Sequence, residues 1–120
     1  MSKQRSSFKM GTVEMLILFL LEKRDMYGYE LSAHIKKLSN GKITISESTL
    51  YPTLYKLLDK KYISDSERLI GKRRIRVYYH LEKEGDKRLA DLLEDYRSIT
   101  EGMERILSYT SLEELDDDKQ

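Results

Sequence analysis

The sequence predicts a mainly α fold with one small β-hairpin, and three observations predict it. Apolar residues recur at helical spacing in three successive blocks between residues 10 and 61. An alternating, β-branched run follows at 73–81, and a heptad-spaced seam then runs from Gly85 to Ile106. A chain of 120 residues, 39% hydrophobic and 36% charged, fits one domain with a modest core.

Residues 1–9 carry Lys3 and Arg5 and lack the apolar stretch and cleavage site of a signal peptide, so they read as a loose polar arm. From 10 to 23, Met10, Val13, Leu16, Ile17, Leu20 and Leu21 keep helical spacing. Leu18 and Phe19 widen the stripe nearly all round, as in a central core helix. Asp25 offers a cap for a second helix with the inward stripe Tyr27, Leu31, Ile35 and Leu38, and Gly41 is its natural stop. Lys42, Ile43, Thr44 and Ile45 then alternate as a short extended segment.

The third helix starts at Ser46 or Ser48 and turns Leu50, Leu54, Leu57 and Leu58 inward. Its opposite face shows Ser48, Thr49, Thr53, Lys56 and Lys60, which suits a helix inserted end-first into a polyanion groove. An ordinary solvated face has the same pattern, so neighbouring segments must decide. Pro52 lies close enough to the start to be tolerated or to cause a small kink.

Residues 62–67 read as a strand, 68–72 as a turn at Gly71, and 73–81 as a returning strand. Ile75, Val77, Tyr79 and Leu81 fall on one face of it, and Arg74, Arg76, Tyr78 and His80 on the other. Lys72, Arg73, Arg74 and Arg76 place four cations in five residues. Like charges so close repel, and a phosphate backbone would remove that cost. A hairpin edge kept soluble by charge is the plain alternative. Three helices followed by a hairpin compose a winged helix-turn-helix.

Gly85, Leu89, Leu92, Tyr96, Ile99, Met103 and Ile106 then repeat at heptad spacing, with Leu93 and Leu107 widening the seam. The first helix already faces the core, so Leu89, Leu92, Tyr96, Ile99, Met103 and Ile106 point to a C-terminal dimerisation helix over 83–110. Residues 111–120 read as an acidic, disordered tail. Charge divides along the chain: residues 1–90 hold 19 Lys and Arg against 11 Asp and Glu, and 91–120 hold 3 against 10. A nucleic-acid binder that separates binding from assembly would show this division.

Enzyme readings fare badly, and no catalytic, metal or cofactor residues are assigned. There is no cysteine, and His34 and His80 are far apart and read as surface residues. The six glycines form no phosphate loop, and the carboxylates of 113–118 have no apolar surround. No apolar run could span a bilayer, and the expectation is a cytoplasmic protein.

In this order and spacing, three motifs resemble the PadR family of winged-helix transcriptional regulators, most of all its short-chain branch. Tyr27-Gly28-Tyr29-Glu30-Leu31 resembles the start of that family's second helix, and Ser48-Thr49-Leu50-Tyr51-Pro52-Thr53-Leu54 its recognition helix. Arg73-Arg74 with Tyr78-Tyr79-His80-Leu81 and Gly85 resembles its wing, with Glu82 where the family usually has Thr. The resemblance implies a homodimeric repressor on a pseudo-palindromic DNA operator, its DNA-binding domain spanning 10–82. DNA contacts would then fall to Tyr29, Ser48, Thr49, Tyr51, Pro52, Lys56, Lys72, Arg73, Arg74 and Arg76. It also implies a small aromatic ligand at the dimer interface, lined by Phe8, Met15, Leu92, Leu93, Tyr96 and Ile99, although Tyr96 stands where drug-sensing members carry Trp. A dimeric protein-interaction module of the same fold is the competing reading, and the cationic wing argues against it.

Overall fold

The structure, a computed structural model, describes residues 2–113, with side chains described from residue 11 onward. The elements are α1 (Ser2–Lys23), β1 (Met26–Tyr27), α2 (Gly28–Leu38), α3 (Glu47–Asp59), β2 (Ile63–Ile70), β3 (Arg74–Leu81) and α4 (Lys83–Leu107). They fall into two units, Met1–Ala90 and Asp91–Gln120, divided within α4. The expected disordered tail lies outside the described residues from 114 onward.

Helix α1 packs on α2, α3 and β3. Its Val13, Ile17, Leu18, Leu20 and Leu21 are buried with Leu31 and Ile35 of α2 and Leu50, Leu54 and Leu57 of α3. Each such side chain contributes about 1.5–3 kcal/mol by leaving water. Glu14 interrupts the stripe and is buried, yet its charge is paired: Arg88 Nε donates to Glu14 Oε2 at 2.9 Å. The helix starts at Ser2, so residues 2–9 of the expected arm are helical instead. Lys3, Gln4 and Arg5 are good helix formers and no proline stands in their way.

Asp25, expected to cap the second helix, does not cap it. Met26 and Tyr27 form β1, paired with Tyr79 and Tyr78 of β3, and α2 starts only at Gly28 with Tyr27 as N-cap. The Asp25 carboxylate instead accepts from Arg68 Nη2 at 2.6 Å and bonds His80 Nδ1 at 2.7 Å, tying the junction before β1 to both long strands. The His80 bond first, then Arg68, holds this carboxyl below its ordinary value against the opposing effect of burial. His80 is therefore exposed but engaged.

Helices α2 and α3 end alike. Gly41 N–H bonds Lys36 O at 2.8 Å and Asn40 N–H bonds Lys37 O at 3.1 Å, with Asn40 left-handed at φ 57°. Tyr62 N–H bonds Leu57 O and Lys61 N–H bonds Leu58 O, both at 3.0 Å, with Lys61 left-handed at φ 62°. Both are Schellman ends that satisfy the last carbonyls. The loop between them is held by Ser39 Oγ, which accepts from Ile43 N–H at 2.9 Å, and residues 43–46 form no strand.

Three antiparallel strands lie in the order β1-β3-β2, with Ile63 opposite Leu81 at the base and Ile70 opposite Arg74 at the tip. The turn is thus shorter than residues 68–72 suggested, and Arg68 is a strand residue. Glu82 N–H bonds Tyr62 O at 3.0 Å, and the Glu82 carboxylate accepts from Ser64 Oγ at 2.6 Å, joining the start of α4 to the wing base. Gly85 is required here, because a Cβ would lie 2.0 Å from Tyr62 O. Leu89, expected on the seam offered to a partner, is buried within its own chain at 2% exposure. It sits only four residues beyond the close approach at Gly85, on the same helix face. In the second unit Tyr96, Ile99, Met103 and Ile106 are exposed, while Leu92 and Leu93 are half-buried.

Candidate nucleic-acid interface

Along α3 the buried leucines leave Ser48, Pro52 and Lys56 exposed and Thr49 and Tyr51 half-buried. Ser46 is the N-cap through its carbonyl, which accepts from Thr49 and Leu50 N–H. Its hydroxyl does not cap: it bonds Ser48 Oγ at 2.9 Å and reaches Thr49 Oγ1 at 3.3 Å. Three hydroxyls are thus gathered at the start of the helix. Thr53 does not join them, since it is 3% exposed and its Oγ1 donates to Thr49 O at 2.8 Å. The leucine stripe is wide enough to draw Thr53 into the core, where its hydroxyl is satisfied by the carbonyl one turn back. Pro52 has no N–H for the carbonyl of Ser48, so that exposed turn keeps a spare acceptor.

Beside this face a groove of about 600 Å³ runs between α3, the start of α2 and β3. Tyr29, Tyr51 and Tyr55 line it from the helical side, and Arg74, Arg76 and Val77 from the wing. Gly28 makes the helical wall possible, because a Cβ there would lie 2.6 Å from the Tyr51 hydroxyl. Tyr51 and Tyr55 rings lie 6.3 Å apart, and Tyr55 is 61% exposed. Tyr55 was not foreseen as a site residue, although its position one turn after Tyr51 was a usable signal. At the groove floor the Tyr79 hydroxyl is pushed up to about 12, by burial first and then by Tyr51, Tyr55 and Asp65. It stays a neutral donor at any working pH.

The outer face of the wing resolves the crowding of its cations. Arg68 and Arg76 face each other across the strands, yet each stacks on a tyrosine ring: Arg68 over Tyr78 and Arg76 over Tyr27, both at 4.2 Å. Tyr27 and Tyr78 meet edge to face at 5.5 Å. This ladder gives two of the cations a structural use and stiffens the wing. Lys72, Arg73 and Arg74 are exposed at the turn and have no ion pair among the described residues. Tyr29 is exposed at the start of α2, so the foreseen DNA residues lie on α2, α3 and the wing of one unit. Of the foreseen ligand residues, Met15 is buried, Tyr96 and Ile99 are exposed, and the side chain of Phe8 lies outside those described.

Residues 17–91, which include both walls of this groove, match the profile of the Transcriptional regulator PadR-like family. The chain belongs to that family. Among similar structures, a transcriptional regulator of Clostridium thermocellum has a TM-score of 0.74 at 30% identity, covering 79% of this chain and 92% of its own. A Streptococcus mutans protein has a TM-score of 0.72 at 36% identity, covering 82% and 88%. Bacillus subtilis PadR, solved with operator DNA, has a TM-score of 0.64 at 28% identity and covers 68% of this chain and 46% of its own. In sequence, this PadR-like chain is 30% identical over 97 residues to an uncharacterized protein of Lysinibacillus sphaericus, covering 81% of this chain and 89% of that protein. It is 34% identical over 73 residues to the Escherichia coli transcriptional regulator YqjI, covering 61% of this chain but only 35% of YqjI. As a PadR-like protein its fold is the winged helix-turn-helix with a C-terminal helix.

Proposed function

We propose that this PadR-like regulator binds duplex DNA as a homodimer, with the start of α3 in the major groove and the wing turn on the backbone. The observation that carries the reading is the trio Lys72, Arg73 and Arg74, exposed and without ion pairs among the described residues, on the wing that shares a groove with Tyr51 and Tyr55 of α3. Exposed cations displace counterions from phosphates, which supplies most of non-specific affinity. Ser48, Thr49, Tyr51, Pro52 and Lys56 then supply the contacts to base edges and to DNA shape. That Bacillus subtilis PadR was solved in complex with operator DNA supports the DNA-binding part of this reading. No helix among the described residues is long and apolar enough to cross a membrane.

Dimerisation rests on the exposed apolar stripe Tyr96, Ile99, Met103 and Ile106, which a second copy of the helix would cover. A pseudo-palindromic operator follows from two-fold symmetry. A small planar ligand near Tyr96 would act as inducer, making the protein a repressor released by that ligand. Release requires the ligand to favour a dimer with wrongly spaced α3 helices, and a tenfold loss of affinity requires a preference of about 1.4 kcal/mol. The test is a gel shift on the DNA upstream of the chain's own coding region, repeated with planar cationic dyes. A retarded complex of dimer stoichiometry that a dye dissolves is the expected result. A chain that retards no duplex would overturn the reading.

A further inference from the structure

The sequence continues the inward stripe of α2 to Leu38, yet in the fold Leu38 is 70% exposed. It does not stand alone. Phe19 on α1 and Ile43 in the loop after α2 are exposed at 38 and 37%, and all three line one cavity of about 200 Å³. Its two helical walls repeat one device: Leu16, Phe19 and Leu20 on α1, and Ile35, Leu38 and Ser39 on α2, each keep the spacing of a single helix face. Large apolar side chains scattered singly over a surface are ordinary, whereas three that converge on one cavity mark a place where something binds.

The lining decides what fits. Apart from Ser39, the described side chains around the cavity are hydrocarbon. The Ser39 hydroxyl is already committed, donating to Lys36 O at 3.2 Å and accepting from Ile43 N–H at 2.9 Å. A charged or strongly polar guest would therefore leave water and find no partner. An apolar cavity of about 150 Å³ lined by such side chains takes up benzene, so this one has room for one ring or two fused rings, and Phe19 adds an aromatic wall. A protein partner fits less well. Lys23, with Nζ 4.5 Å from the centre of the Phe19 ring, and Lys36, Lys37 and Lys42, next to lining residues in sequence, are all exposed and confine the apolar area, whereas a stable protein contact takes roughly 800 Å² from each side. We propose that this cavity binds a small neutral aromatic molecule, and that its occupant stiffens the loop leading into α3. The loop enters through Ile43, whose side chain lines the cavity and whose N–H is held by Ser39, and three residues later Ser46 is the N-cap of α3. A guest packed on Ile43 must leave before that N–H opens to water. The site lies wholly within the first unit and stands whether or not the chain binds DNA.

Indole is the probe, because the chain has no tryptophan and bound indole is read by its own fluorescence. Titrated against the full chain, it should fill one saturable site per chain. Leu38→Glu and Ile43→Glu change exposed positions on two elements, and each should weaken binding at least tenfold by bringing a carboxylate to the cavity, while Leu38→Met should retain it. Urea midpoints check that the variants are folded. At an indole concentration ten times its Kd, hydrogen exchange of the Ile43 N–H should slow about tenfold, since only the empty site opens. The absence of a saturable site overturns the proposal, as does parent affinity in a folded Leu38→Glu protein, and unchanged Ile43 exchange overturns the part concerning the loop. Loss of indole binding in Tyr96→Ala would place the guest on the last helix instead and overturn the assignment. A shift of Leu38→Glu toward monomer in sedimentation would make the patch a contact between copies, which also overturns it.

Discussion

Replacing Gly85 by Ala should destabilise the winged unit, although the same change in an open helix gains about 1 kcal/mol of helix propensity. The new Cβ would lie 2.0 Å from Tyr62 O, 2.7 Å from Leu81 Cδ1 and 2.9 Å from Tyr62 C, whereas ordinary contact begins at 3.4 Å. The first turn of α4 would have to retreat by roughly 1.4 Å, the difference between those distances to Tyr62 O. The obstacle is backbone, held by the Glu82 N–H bond to the same carbonyl, so it cannot rotate away as a side chain would. Overpacking costs about 1–3 kcal/mol and a lost backbone bond about 1, so the net loss should be about 1–3 kcal/mol. For a unit of this size that lowers Tm by about 4–20 °C. Gly28→Ala is the contrast, because the atoms nearest its Cβ are the end of the Tyr51 side chain rather than backbone. It should leave stability within about 1 kcal/mol of the parent and weaken DNA binding by moving the tyrosine wall. Urea unfolding of both variants decides it. A Gly85→Ala protein as stable as the parent would refute the close approach of α4 to the wing base.

Lys61→Gly should raise stability by about 0.5–1 kcal/mol, since a left-handed residue ends α3; an unchanged urea midpoint would argue against that end. Asp25 has a lowered pKa, so its stabilising contribution is complete above the ordinary value of 3.8 and is lost as pH falls through the lowered one. Asp25→Asn should therefore be less stable than the parent at pH 6, with the gap closing in acid; a gap that persists at pH 2 would assign the loss to packing. Tyr79 keeps its proton to about 12 when folded, whereas the unfolded chain ionises near 10, so stability should fall between those values and Tyr79→Phe should fall less. A Leu92→Asp, Ile99→Asp double variant should sediment as monomer while the parent is dimeric at micromolar concentration; a monomeric parent removes the assembly claim.

The helices were legible because their leucines repeat at the period the backbone imposes, and the hairpin because Ile75 to Leu81 alternate about a glycine turn. The cationic turn and the start of α3 stood out for the same local reasons. What stayed hidden depends on distant partners. Strand β1 is two residues long and exists only because β3, some fifty positions later, offers an edge. Asp25 reads as a helix cap until Arg68 and His80 come within reach, and Thr53 reads as polar surface until the core takes it. Arg76 looked like another free cation, but the ring of Tyr27 beneath it lies across the sheet rather than along the chain.

The central claim is that the exposed wing cations meet DNA phosphates, and the salt dependence of binding to the upstream duplex tests it most directly. Lys72, Arg73 and Arg74 on each of two wings give six phosphates and a slope of log K on log salt of about −5. The Arg73→Ala, Arg74→Ala protein should flatten that slope by about 2 to 4. Equal slopes for parent and variant would contradict the account and leave those arginines to solubility.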